Sequence, residues 1–195
     1  MKSFRIAVAA GMLALLSTPA VAQLGGNDGH DFIDAVQKRD GDKATQLIAS
    51  HPTIIDTKDD KGDTGLIISI RASDRDWTGF LLNRGADPNG QGAGGDTPMI
   101  TAAKVGFDEA IGWLLGLAAK VDATNRSGET ALIIAVQRRD AKMVRDLLAA
   151  GADPDRTDSV AGYSARDYAN RDSRSRDIQK LINDKKPRGG STAAN

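Results

Sequence analysis

A spacing of 33 residues runs through the chain and constrains its fold more than any other feature. Thr64, Thr97 and Thr130 lie on it, and Tyr163 takes the next step. Gly62, Gly95 and Gly128 keep the same interval, as do the pairs Leu81-Leu82, Leu114-Leu115 and Leu147-Leu148. Each leucine pair precedes a turn: Gly85-Ala86-Asp87-Pro88-Asn89, Ala118-Ala119-Lys120-Val121-Asp122, and Gly151-Ala152-Asp153-Pro154-Asp155. Unrelated position types sharing one period describe a stack of similar units, each buried only against its neighbours.

One unit shows the physics. Thr97 suits a helix N-cap, and Pro98 suits the first helical position, where its missing N–H is not needed. Met99, Ala102 and Ala103 give a short helix with a small apolar face, which Gly106 ends. Asp108 to Leu117 reads as a second helix, with Ala110, Ile111, Leu114 and Leu115 at helical spacing. Leu115, repeated in Leu82 and Leu148, is expected to be buried between second helices. The hairpin Asn125-Arg126-Ser127-Gly128 leads to the next threonine. Helices of two or three turns do not stand alone in water, so stacking must hold them.

Gly95-Asp96-Thr97-Pro98-Met99-Ile100-Thr101-Ala102-Ala103 followed by Leu114-Leu115 resembles the ankyrin repeat, as does Leu81-Leu82-Asn83-Arg84-Gly85-Ala86-Asp87-Pro88-Asn89. The resemblance covers about residues 28 to 184 and implies an all-α solenoid of helix-turn-helix units with short β-hairpin loops. A tetratricopeptide array has a similar period but lacks the hairpin and the Thr-Pro start. One departure stands out. The histidine usual in the family after Thr-Pro-Leu is replaced by Ile67, Ile100 and Ile133, so apolar contact must do more here.

The ends deviate. Asp34 to Asp40 echoes Ile134 to Asp140 at an offset of 100, one more than three periods. Tyr163 to Ala169, with Ile178, Leu181 and Ile182, makes a charged closing unit with one inserted residue. Five repeats are expected, the outer two as polar caps, with 23–27 a linker and 185–195 a flexible tail.

Ahead of the array, Lys2 and Arg5 precede an apolar run of 11 residues, Ile6 to Leu16, and the segment closes on Ala20-Val21-Ala22. That order is a secretory signal peptide over 1–22, because a membrane span needs roughly 20 apolar residues. The chain is expected in the periplasm, uninserted after cleavage. The leader holds two of the 26 basic residues and none of the 26 acidic ones, leaving a slight negative balance. That balance does not suit a general nucleic-acid binder. There is no cysteine, so no disulfide framework and no lipid-modified cysteine.

Little in the sequence points to catalysis. The only histidines are His30, at a position expected to cap a helix, and His51, in the turn before Pro52. Neither has the spacing of a metal pair or a nucleophile's partner. Gly90-Gln91-Gly92-Ala93-Gly94-Gly95 spells a dinucleotide fingerprint but lacks the strand and βαβ context, and reads as a flexible hairpin. Asp56–Asp63 and Asp153–Asp158 miss calcium-loop spacing and read as solvated fingers. No cofactor or metal is expected. Trp77, Phe80 and Trp113 read as core, while Phe107, between two helices, is expected to be exposed.

The surface remains. The resemblance implies a concave groove lined by hairpin tips and first-helix ends that meets a partner protein. First helices end in Lys38-Arg39, Arg71, Lys104, Arg138-Arg139 and Arg171, one basic step per unit. Asp60, Asp63, Asp96 and Glu129 lie just before the helices, with Lys61 and Arg126 in the hairpins. Such a ladder suits an acidic, extended partner. The helix dipole alone also favours this pattern, by about 0.3–1 kcal/mol per charge.

The expected function is therefore protein binding by a monomer. Similar exported bacterial ankyrin proteins suggest neutralising an effector or supporting a periplasmic enzyme. An enzyme with a site built on the groove, or a passive scaffold, are the alternatives. N-terminal sequencing of the protein from a periplasmic fraction is expected to begin at Gln23. A chain beginning at Met1 in the cytosol overturns the export reading.

Overall fold

The structure, a computed structural model, describes residues 27–185. The expected leader, residues 23–26 of the linker and the tail after Lys185 lie outside the described residues. Among the described residues ten α-helices follow one another in pairs. These are α1 (Asp28–Lys38) with α2 (Gly41–Ser50), α3 (Gly65–Arg71) with α4 (Arg75–Asn83), and α5 (Pro98–Val105) with α6 (Asp108–Gly116). Then come α7 (Ala131–Gln137) with α8 (Ala141–Ala149), and α9 (Ala165–Arg171) with α10 (Arg176–Asn183). Hairpins join the pairs, with antiparallel bridges at Lys58–Thr64 and Thr157–Ser164.

The caps explain where helices start. Thr64, Thr97, Thr130 and Ser164 cap the first helices of four pairs, accepting from the N–H of Ile67, Ile100, Ile133 and Asp167 at 3.1–3.3 Å. Asp40, Asp74 and Asp140 cap second helices in the same way at 2.9–3.1 Å. Phe107 occupies the matching position before α6 and leaves that helix without a side-chain cap. His30 caps nothing: α1 begins two residues earlier, and His30 is exposed in its first turn. His51 closes α2 as expected.

The first helices α1, α3, α5, α7 and α9 pack in succession, and α6, α8 and α10 pack behind them. Ile67, Ile100 and Ile133, which replace the family's histidine, are at most 1% exposed. Apolar burial does take over at that position. Trp77 is buried, while Phe80 and Trp113 are half-buried against the core.

Two burial expectations are corrected. Phe107 is buried, its ring edge-on to Trp113 at 6.0 Å. It exchanges a polar cap for aromatic packing. Within the leucine pairs, Leu81, Leu114 and Leu147 are fully buried, whereas Leu115 is only half-buried. Leu82 and Leu148, the second leucines of the neighbouring pairs, are buried, so the partial exposure of Leu115 is particular to α6.

Left-handed backbone recurs on the same period. Gly85 and Gly151 follow second helices at φ 89° and 92°, and Ala118 stands between them at 56°. A side chain in that conformation costs on the order of 1–2 kcal/mol, which α6 bears and its neighbours avoid.

Leu114→Ala is expected to destabilise by about 2–5 kcal/mol, and Leu115→Ala by clearly less. Denaturant titration checks the order; equal losses would mean the packing of α6 is misassigned.

Candidate functional site

Three of the four hairpins among the described residues fold around one side-chain acceptor each. Asp59 Oδ1 accepts from the N–H groups of Lys61 and Asp63 at 2.9 and 2.8 Å. Asn125 Oδ1 accepts from Ser127 and Glu129, both at 3.0 Å. Asp158 Oδ1 takes Val160, Ala161 and Gly162 at 2.6–3.1 Å, closing the loop with the inserted residue. In the second hairpin this position is Gly92, where a Cβ would stand 2.5 Å from Asp63 Oδ1 and 2.7 Å from Ile67 Cδ1. The space belongs to the carboxylate of the preceding unit.

The 90–95 segment is therefore not a flexible hairpin. Gly92 N–H donates to Asp96 O at 2.8 Å, Ala93 N–H to Asp63 Oδ1 at 2.9 Å, and Gly94 O accepts from Arg126 N–H at 3.0 Å. Ser127 O likewise accepts from Ser159 N–H at 2.8 Å, so successive tips are strung together.

Beneath the tips lie carboxylates paired upward to cations. Asp63 is 1% exposed and accepts from Arg71, eight residues on at the end of α3. Asp96 accepts from Lys104 Nζ at 2.7 and 2.8 Å and from Asn125 Nδ2 of the next hairpin at 3.0 Å. The cations are open: the side chains of Arg71 and Lys104 are 47% and 43% exposed, against 1% and 12% for their partners. Burial pushes the Asp63 carboxyl up, but Arg71 and the Ala93 N–H more than reverse this and hold it below its ordinary value. The reading of Asp56–Asp63 and Asp153–Asp158 as solvated fingers is corrected at Asp63 and Asp158, which are buried, while Asp56 and Asp60 are exposed.

Residues 72–158 match the family model for ankyrin repeats, in three copies. Over this stretch the chain is built of ankyrin repeats. Ankyrin repeats are protein–protein interaction modules, so a protein is the kind of partner the array implies. No curated protein matches the chain. No helix among the described residues is long and apolar enough to cross a membrane.

The ankyrin array brings some sequence-chosen residues together and separates others. Arg71–Asp63 and Lys104–Asp96 form one repeated brace, but its next step is Gln137, not Arg138. Arg138 instead lies back over α5, donating to the Lys104 carbonyl at 2.8 Å. Glu129 is half-buried and accepts from Asn125 Nδ2 at 2.9 Å. Lys38 pairs within its own helix with Asp34 at 2.9 Å. The Arg171 guanidinium stacks 4.2 Å above the Tyr163 ring. Asp60, Lys61 and Arg126 are exposed at hairpin tips.

Two sets of contacts went unread in the sequence. Arg39, in left-handed backbone, reaches Asp74 of the next unit, and Arg139 reaches Asp172 in the same way. Arg139 and the Arg174 N–H hold the Asp172 carboxyl far below the usual carboxylate range. The second set is a line of rungs. Asp56, Asn89 and Asp122 each accept from a backbone N–H 31 residues on, at Asp87, Lys120 and Asp153, with lengths of 2.7–2.9 Å. Their common 33-residue spacing was the available signal.

Because the Asp63 carboxyl titrates lower folded than unfolded, its stabilisation is whole above about pH 4 and is lost as pH falls through the folded value. Asp63→Asn is expected to cost about 1–3 kcal/mol at neutral pH and to reduce the further loss on acidification. Denaturant titrations at neutral pH and at about pH 3 check both. An unchanged acid response would show that Asp63 is no part of it.

Proposed function

We propose that this ankyrin array binds an acidic, extended segment of a partner protein along its hairpin tips and first-helix ends. One observation carries the reading: the buried carboxylates are consumed inside the fold while the cations above them keep donors free. An arginine offers five N–H donors, and Arg71 commits only part of its set to Asp63. Lys61 and Arg126 add charge at the tips, with no ion pair among the described residues. The face thus presents Lys61, Arg71, Lys104 and Arg126 outward, beside the exposed Asp60, on a chain whose formal charges balance at 26 of each sign. Preformed donors of this kind lower the ordering cost of binding and steer an acidic partner's approach.

The leader-like start supports a site of action in the periplasm, where holding an effector inactive or sustaining a resident enzyme are the roles in view. Replacing Arg71 or Lys104 would strand a buried carboxylate, so the cleaner test uses the unpaired cations. A pull-down from periplasmic extract with Lys61→Gln, Arg126→Gln protein is expected to recover less partner than the unaltered protein. The difference should shrink as salt is raised, since screening sets in beyond about 8 Å at physiological ionic strength. Equal recovery at low salt would remove the tips from the binding face.

A further inference from the structure

The rungs that join successive units use aspartate at Asp56 and Asp122, but asparagine at Asn89 between them. Gly90 follows Asn89, and theirs is the one Asn-Gly pair in the chain. An asparagine side chain can be attacked by the main-chain nitrogen that follows it, and glycine leaves that nitrogen least obstructed. The backbone does not require Gly90. Its φ lies outside the left-handed region, and a Cβ there would meet Asp87 at 3.5–3.8 Å, which is ordinary contact.

The other parts of that reaction are in place. Asn89 Oδ1 accepts from the Lys120 N–H at 2.7 Å, and this oxygen takes up negative charge when its carbon is attacked. Asn89 Nδ2, the departing nitrogen, makes no hydrogen bond among the described residues. The Gly90 N–H is spent only on a long bond of 3.3 Å to the Asp87 carbonyl, so little holds it back. Asn125 shows the contrast. Its Nδ2 is held by Asp96 and Glu129 at 3.0 and 2.9 Å, and an arginine follows it.

We propose that Asn89 is a self-modification site, which converts to aspartate or isoaspartate through a succinimide without an enzyme. Gly90 N forms a bond to Asn89 Cγ, the Cγ–Nδ2 bond breaks, and the nitrogen leaves as ammonia with the proton that Gly90 gives up. One water then opens the ring. It breaks either the new Cγ–N bond, giving aspartate, or the original peptide bond, giving isoaspartate. The two products part ways in this fold. Aspartate still offers an oxygen to the Lys120 N–H, now as the charged acceptor that Asp56 and Asp122 provide in their own units. Isoaspartate adds a methylene to the main chain between two fixed points, the Asn89 N–H on Asp87 Oδ1 and the Gly92 N–H on Asp96 O, both at 2.8 Å. Aspartate is the product the array accommodates. An older molecule then carries one more negative charge at the foot of the second hairpin, on an unchanged fold.

The test is incubation of the purified, folded protein at mildly alkaline pH, followed by peptide mass spectrometry. The peptide holding Asn89 is expected to gain about one mass unit and one negative charge, ahead of those holding Asn83, Asn125, Asn170 and Asn183. Gly90→Ala should slow the conversion about tenfold or more. Asn89→Asp, which reproduces the favoured product, should keep Tm within about 2 °C of the unaltered protein. No conversion, or conversion in urea but not in the folded chain, overturns the proposal, since the fold would then shield Asn89. Gly90→Ala protein converting as fast as the unaltered chain overturns it too. So does a larger fall in Tm for Asn89→Asp, which would show that the rung rejects a carboxylate.

Discussion

Asp63 takes bonds from two units at once: the Arg71 guanidinium of its own and the Ala93 N–H of the next. A buried carboxylate without such partners would be costly enough to change its protonation or its place. The hairpin, the end of α3 and the following hairpin are therefore fixed together by one charge. Asp96 repeats the arrangement with Lys104 and the Asn125 amide, and so ties the second hairpin to the third. What the array presents to a partner is set one layer below the surface.

That layer matters because single units are weak. Helices of 7 to 11 residues bury one side against the preceding pair and one against the next, and have no core of their own. Local compromises are tolerated when neighbours compensate. The unit of α5 and α6 gathers three: no side-chain cap on α6, left-handed backbone at Ala118, and two outward glycines. Other units carry such departures too: Arg39, Ser73 and Arg139 are left-handed, and α1 and α10 lack a side-chain cap.

Much of the fold was legible because the period exposes it. Thr64, Thr97 and Thr130 announce helix starts, and the isoleucines behind them announce a dry core. Side-chain direction within a unit was less accessible. Leu115 looks equivalent in sequence to Leu82 and Leu148, which are buried, yet is only half-buried. Phe107 looked like a loop residue because it replaces an aspartate cap, and only its contact with Trp113 shows where the ring goes. The basic ladder was visible as a pattern of charge. Its buried anions were not, since an aspartate in a hairpin reads as solvated until a partner 30 residues away is known to cover it.

The rungs at Asp56, Asn89 and Asp122 have a bearing on how such a molecule changes over generations. Each joins a side-chain acceptor to a main-chain N–H, and a main-chain donor survives replacement of its residue by anything except proline. The joint is thus indifferent to which unit follows. A gene segment encoding one whole unit, copied or excised in frame, would deliver a chain whose ends still find matching halves, much as a ladder accepts another length of rail. Growth by duplication needs no fresh contacts to be invented at the seam, and the side chains around it are left free to drift toward new partners.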